Sequence, residues 1–273
     1  MLNLYYDELF LSPQSAFLSH GLSTWMVLLS GWALFCVSID ALAACSTTIR
    51  SSKLQSDART NDIALRALAK RVVVRNWVAV LLQTVLFAPF LKMAFPLGQW
   101  RTAMTRNEYA IFVFLWFISN DFIFTMFHFA FHRSPWLYKV AHKEHHTWKA
   151  PFAWMSHAMS LWEMAANSVG VMFVPLCHSL LLQRTTPLEL VWVLTLWSQL
   201  IGCIEHSGYN AIPPLAPLFC LQPKWCPTWL FSTTRHHDDH HQYFQGNYGG
   251  YLAIWDVLMG TILKVRDDDK HSR

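Results

Sequence analysis

Along the chain, apolar residues come in long blocks rather than at amphipathic spacing. Five blocks approach the roughly 20 residues that a helix needs to cross a hydrocarbon core. They run over about 22–44, 76–97, 109–131, 164–182 and 188–204. The first carries a single carboxylate, Asp40, near its end. The second is expected to bend at Pro89. The fourth and fifth are separated only by Gln183–Pro187 and read as a helical hairpin. Between the first two blocks, Ile63–Val74 interleaves apolar residues with Arg66, Lys70 and Arg71. That pattern fits an amphipathic helix at a membrane interface or a solvated helical connector.

Composition agrees with the blocks. Of 273 residues, 53% are hydrophobic and 14% charged, against roughly 25% charged in a soluble domain. The expected fold is an all-α integral membrane protein with four to five transmembrane helices. Its segment "MLNLYYDELF" lacks the basic start of a cleavable signal, so the first block is expected to stay as an anchor. Neither repeats nor a linker-like boundary stand out. Cys36, Cys45, Cys177, Cys203, Cys220 and Cys226 form no C-x-x-C pair and read as small buried residues, with Cys220 and Cys226 unassigned. A net charge of +4 gives no reason to expect a nucleic-acid partner.

The charge distribution sets orientation. The first twenty residues hold Asp7 and Glu8 but no Lys or Arg, whereas Arg50, Lys53, Arg59, Arg66, Lys70, Arg71 and Arg75 follow the first block. Basic short loops stay cytosolic. Counting spans from there puts residues 128–146 and the C-terminal third on the cytosolic side.

That side is where the histidines gather. "HFAFH" supplies His128 and His132, "HKEHH" supplies His142, His145 and His146, and "HHDDHH" supplies His236, His237, His240 and His241. Helix positions i and i+4 lie within roughly 40° of each other, so each cluster can turn its imidazoles to one point or to two nearby ones. Neutral imidazole suits iron, zinc, copper and nickel. Eight spaced histidines, with His157, His206 and His236 nearby, exceed the four ligands of one zinc ion and suit two ions. An all-nitrogen donor set suggests redox iron, and two zinc ions also fit the count. His20, His178 and His271 fall outside this region. Asp121, about 20° from His128 on one helix, is expected to accept a ligand histidine's other N–H and orient its ring, or to make an interhelical contact. Asp238 and Asp239 are expected to play the same role or simply to be solvated.

These motifs resemble the membrane fatty acid hydroxylase / sterol desaturase superfamily, whose pattern is H-x3-H, H-x2-H-H and a later H-x2-H-H. The likeness covers about residues 121–261, through "PWLYKVAHKEHH", "EHSGYN" and "NYGGYLAIWDVLMGT". "HSGYN" and "WDVLMGT" are most similar to the cholesterol 25-hydroxylase and C-4 methylsterol oxidase branch. The resemblance implies a non-haem di-iron oxygenase of the endoplasmic reticulum membrane. It would use O2 and electrons from cytochrome b5 or a similar carrier on a sterol, terpenoid or fatty-acyl lipid. A helical cap on the cytosolic side would hold the two metals. It further implies His206 as a ligand, and His236 as a ligand or an orienting group. His157 stands where the family usually has another residue, and Phe129 where it commonly has arginine. The division expected is 1–108 for the N-terminal helices and basic loop, 109–265 for the catalytic domain and 266–273 for a polar tail. Desaturation or C-4 methylsterol oxidation are open within the same chemistry. A metal transporter would instead need ligands along a path between both faces, and a haem carrier would leave most of these histidines unused.

Overall fold

The computed structural model describes residues 16–55, 62–101, 103–210, 227 and 229–263. The leading segment, Cys220, Cys226, His271 and the 266–273 tail lie outside them. Among the described residues the fold is all-helical, with one isolated bridge between Lys53 and Tyr209.

Helix α1 is Phe17–Cys45, α2 is Ile63–Leu86 and α3 is Ala88–Ala94. Helix α4 is Arg106–Arg133, α5 is Leu161–Leu181 and α6 is Leu188–Glu205. Four of these (α1, α4, α5 and α6) are each long and apolar enough to cross a membrane, and α2 with α3 makes a fifth if the bent pair is one span. Two short helices follow, α7 (Thr234–Tyr243) and α8 (Ile254–Met259).

Local chemistry sets the helix ends. Asp62 caps α2 by accepting from Ala64 N and Leu65 N. Thr105 and Glu108 close a reciprocal capping box on α4. Ser160 caps α5 through Glu163 N, and Thr233 caps α7 through His236 N. Phe244, in the left-handed region at φ 60°, ends α7.

Two expectations need correction. The amphipathic stretch Ile63–Val74 is neither a separate interfacial helix nor a connector; it is the first half of the continuous helix α2. No breaker separates Val74 from Trp77, and the polar pair between them is a joint. Arg75 reaches Glu144 and Met159 O, while Asn76 donates to His157 O and Met159 O. The bend also comes earlier than Pro89. The helix breaks at Phe87 by 62°, and Pro89 sits in the first turn of α3. Proline there has no N–H to leave unpaired, whereas inside a continuous helix its ring would press on the Val85 carbonyl.

The core forms where α1, α2 and α6 meet the loop before α5. Trp32, Cys36, Trp77, Ala153, Cys203 and Ile204 pack there, and Trp32 Nε1 donates to Ser156 Oγ at 3.0 Å. Helix α4 lies close against α5, where a side chain at Gly170 would meet Asn120 Oδ1 at 2.8 Å. The outer faces stay apolar and open, with Leu34, Leu82 and Phe114 all more than 60% exposed. Such a surface suits lipid rather than water. The segments carrying the histidine clusters form a cap at one end of this bundle.

Candidate metal centre

Each cluster is delivered by a different local structure. His128 and His132 are one turn apart at the end of α4. His142 closes a π-helical turn, Tyr138–His142, and His145 opens a 3-10 turn, His145–Thr147. His206 ends α6. His237, His240 and His241 lie on α7, a helix of ten residues whose polar side chains are largely buried.

The nine nitrogens converge in two adjoining sets. One set holds His128, His132, His142, His146 and His240; the other holds His145, His206, His237 and His241. Within each, the ligand atoms lie within 4.8 Å of one another. The sets touch, since the rings of His146 and His241 have centroids 4.9 Å apart. The clusters therefore do not map one to a set. Only the i, i+4 pairs stay together, and the odd histidine of the second and third clusters crosses to the other set.

Backbone carbonyls fix the tautomers. His128 Nδ1 donates to Tyr248 O (2.8 Å), His240 Nδ1 to Gly246 O (2.7 Å), His206 Nδ1 to Gly202 O (2.7 Å) and His241 Nδ1 to Trp148 O (3.0 Å). His145 Nδ1 faces Ala158 O at 3.3 Å. A carbonyl only accepts, so these rings carry their proton on Nδ1 and turn a bare Nε2 inward. Yet the Nε2 atoms of His128 and His240 stand 2.9 Å apart, and those of His145 and His206 stand 3.2 Å apart. Two lone pairs at that distance repel. Protonation does not relieve them, because burial holds His145 down to about 3, His206 to about 4 and His240 well below the usual histidine range. A cation between the rings does relieve them.

The spacing bears on which cation fits. Metal–nitrogen bonds of about 2.1 Å put donors roughly 3.0 Å apart at right angles and roughly 3.4 Å apart at the tetrahedral angle. The Nε2 pairs 142–146, 132–146, 146–240, 206–237 and 237–241 stand at 2.9, 3.1, 3.1, 3.0 and 3.2 Å. That spacing, and five donors in one set, fit a coordination number above four.

Several expected residues lie elsewhere. His157 belongs to neither set; its ring stacks on Trp77 at 5.1 Å and contacts Trp32. His236 also stands apart, with Nε2 on Asp256 Oδ2 at 3.0 Å. Asp121 does not take a ligand histidine's proton. Its oxygens accept from Tyr251 N, Leu252 N and Trp255 Nε1 at 2.8, 3.1 and 2.9 Å. A side chain at Gly250 would sit 2.6 Å from Asp121 Oδ1, which is why the loop passes there with glycine. Asp238 accepts from Gln55 Nε2 with both oxygens at 3.1 Å.

Two carboxylates were missed. Asp256 accepts from Tyr248 N, Gly249 N and Thr261 Oγ1 at 2.8, 2.7 and 2.6 Å. It thus holds the loop whose Tyr248 carbonyl orients His128. The only trace of this in the sequence is the polar residue inside "WDVLMGT". Glu163 Oε1 stands 3.0 Å from His142 Nδ1 without the alignment of a hydrogen bond. From the sequence it reads only as an acidic residue in the first turn of α5.

A cavity of about 450 Å³ opens from the histidines into the bundle. His128, His142, His145, His206 and His237 line one end, and it follows α6 back to Leu188, a rise of roughly 27 Å. Phe87, Phe90, Leu91, Leu188 and Val191 line it at the other end.

A model of the fatty acid hydroxylase family matches residues 113–261. The chain is 31% identical over 143 residues to the cholesterol 25-hydroxylase-like protein of Danio rerio, covering 52% of this chain and 51% of that protein. It is 30% identical over 203 residues to the methylsterol monooxygenase erg25A of Aspergillus fumigatus, covering 72% and 61%. It is 29% identical over 165 residues to the lathosterol oxidase of Homo sapiens, covering 60% and 48%. The chain thus spans about half the length of the curated relatives it matches. No solved structure matches. Since the family match takes in more than half of the sequence and all three histidine clusters, this chain belongs to the fatty acid hydroxylase family.

Proposed function

We propose that this protein is a membrane-embedded oxygenase that oxidises a sterol or another lipid at a pair of non-haem iron ions, with O2 as oxidant and electrons from a separate carrier of the cytochrome b5 type. One observation carries the reading: two touching sets of histidine Nε2 atoms stand at the head of a long, mainly apolar cavity. Family membership and the relatives' names support a lipid substrate. Hydroxylation is the outcome proposed, with desaturation or methyl-group oxidation as the alternatives of the same chemistry.

In this reading His128, His132, His142, His146 and His240 hold one ion, and His145, His206, His237 and His241 hold the other. Bound iron would supply the activation of O2 that attack on an unactivated C–H bond requires and that side chains lack. The chain's own residues do the rest. Carbonyls of Trp148, Gly202, Tyr248 and Gly246 keep the Nδ1 protons of their histidines in place, so each ring presents its lone pair. Asp256 and Asp121 keep the Tyr248–Trp255 loop against α4. The apolar walls position the lipid and exclude water. Thr24, Leu28 and Trp77 of the N-terminal helices help line the cavity, so we take the catalytic unit, about 109–265, to be completed by residues before it.

We place the protein in the endoplasmic reticulum membrane, as the family resemblance implies, with the cap toward the cytosol on the strength of the basic residues after α1. A metal transporter fits less well, because both sets sit at one end of the bundle rather than along a path through it. The test is incubation of purified protein with a sterol and fatty-acid panel under ¹⁸O2 and a reducing system, read by mass spectrometry. Label in a lipid alcohol supports hydroxylation. A new double bond without label shifts the reading to desaturation, and no oxidised product on any lipid contradicts it.

A further inference from the structure

Helix α2 lies wholly before residues 113–261 of the family match, yet it grips the segment that follows the second histidine cluster. Its Ala69 and Val72 pack against Trp148, Met155 and Ala158 in one buried cluster. Polar contacts add to that packing. Trp148 Nε1 donates to Leu65 O at 3.0 Å. Asn76, 1% exposed, donates through Nδ2 to His157 O (2.7 Å) and Met159 O (2.8 Å), the carbonyls on either side of Ala158. Arg75 donates to Met159 O at 2.7 Å and to both oxygens of Glu144 at 3.0 Å. It also donates to Asn76 Oδ1, from Nε at 3.0 Å and from the guanidinium tip at 2.9 Å. A guanidinium only donates, so the Asn76 amide must turn its oxygen to Arg75 and its nitrogen to the carbonyls.

The segment held in this way carries carbonyls that orient the four-member histidine set. Trp148 O faces His241 Nδ1 at 3.0 Å, and Ala158 O faces His145 Nδ1 at 3.3 Å. The five-member set takes its carbonyls from Tyr248 and Gly246, in the C-terminal loop that Asp256 holds. The two sets therefore rest on different supports, one before the family segment and one near its end. We propose that Arg75 and Asn76 are positioning residues for the ion of the four-member set alone. They hold the Trp148–Met159 segment so that His145 and His241 keep Nδ1 on a carbonyl and Nε2 toward the ion. The inference rests on the two-ion reading. A ligand ring whose outer partner drifts loses its tautomer and its direction, and losing such a partner costs about 10–100-fold in metal affinity. Asn76 acts on the carbonyl rather than on the ring, so the lower end of that range, about ten-fold, is expected.

The experiment titrates iron into the metal-free full chain in nanodiscs against a competing chelator. It compares the unmodified protein, Asn76→Ala and Arg75→Met, with the melting temperature measured on each. The unmodified chain is expected to bind two ions. In Asn76→Ala one ion is expected to weaken by about ten-fold and the other to stay within about three-fold of its affinity. Arg75→Met, whose side chain is 43% exposed, is expected to weaken the same ion by less. Pairing with ligand variants identifies that ion. Added to His206→Ala, which takes a donor from the four-member set, Asn76→Ala should leave the remaining ion unchanged. Added to His240→Ala, it should weaken the only ion left. A merely structural role would lower both ions along with the melting temperature. Equal weakening of both ions, weakening of the five-member ion, or unchanged affinities in both variants overturns the proposal. If Asn76→Ala does not fold, Arg75→Met decides by the same criteria. An unmodified chain without iron fails the two-ion reading and this inference with it. Two ions and an oxidised lipid with unselective variants fail this inference only. Two ions, selective variants and no oxidised lipid fail the oxygenase reading only.

Discussion

Helices α1 and α7 hold their places for opposite reasons. Helix α1 is apolar along nearly its whole length, yet much of it faces outward, with Leu34 62% exposed. Its place follows from hydropathy, since lipid satisfies the outer face and the core satisfies the inner one. Helix α7 reads "TRHHDDHHQY", as polar as a surface helix, yet His240 and His241 are fully buried. Burying unpaired polar groups is costly. The comparison teaches that a polar helix inside a membrane protein marks a site where ligands, not apolar contacts, supply the stabilisation. In α7 those partners are carbonyls on the Nδ1 side of His240 and His241 and, in our reading, metal on the Nε2 side.

The sharpest break of this contrast is His240→Ala. It removes a donor from the five-member set and leaves a hole at 0% exposure. We expect the iron of that set to be lost, turnover to fall by at least ~100-fold, beyond the ~10–100-fold that loss of an outer partner costs, and α7 amides to lose hydrogen-exchange protection while α1 keeps its own. Retained metal and protection in α7 would show that the helix does not depend on ligation. A smaller effect is expected from Asp256→Asn, which keeps the size of a side chain that holds Tyr248 N and Gly249 N but weakens its acceptors. Metal affinity should fall by about 10–100-fold, measured by competition with a chelator. Unchanged affinity would mean that the loop holds His128 without it. The smallest effect belongs to Leu34→Ala on the outer face of α1, expected within about 0.5 kcal/mol of the unmodified stability in detergent unfolding. A loss as large as a core truncation would place that face against protein.

The contrast also explains what could be read from residues alone. The apolar blocks mark α1 and α4 to within a few residues because bilayer thickness demands long uninterrupted runs. The three histidine clusters were visible because i, i+4 spacing has one geometric meaning on a helix. His142, His145 and His146 show where that logic ends. A regular helix would turn all three the same way, but a π turn and a 3-10 turn replace it, and of the one point or two that the spacing allowed the cluster takes two, with His145 in the other set. Asp121 stood out for its spacing to His128 and was expected to orient a ligand ring or to make an interhelical contact; helical spacing says nothing about the loop 130 residues onward that folds back to it. Glu163 and Asp256 carried no spacing signal at all; their partners come from segments distant in the chain or from turns whose geometry hydropathy does not encode.

The central claim is that distant imidazoles meet around a pair of ions, and metal stoichiometry of the purified full chain tests it most directly. Elemental analysis of protein produced with iron should find two iron ions per chain, reduced to about one in His206→Ala, which takes a donor from the four-member set only. A value near zero in the unmodified chain, or a stoichiometry of one that His206→Ala leaves unchanged, would contradict it.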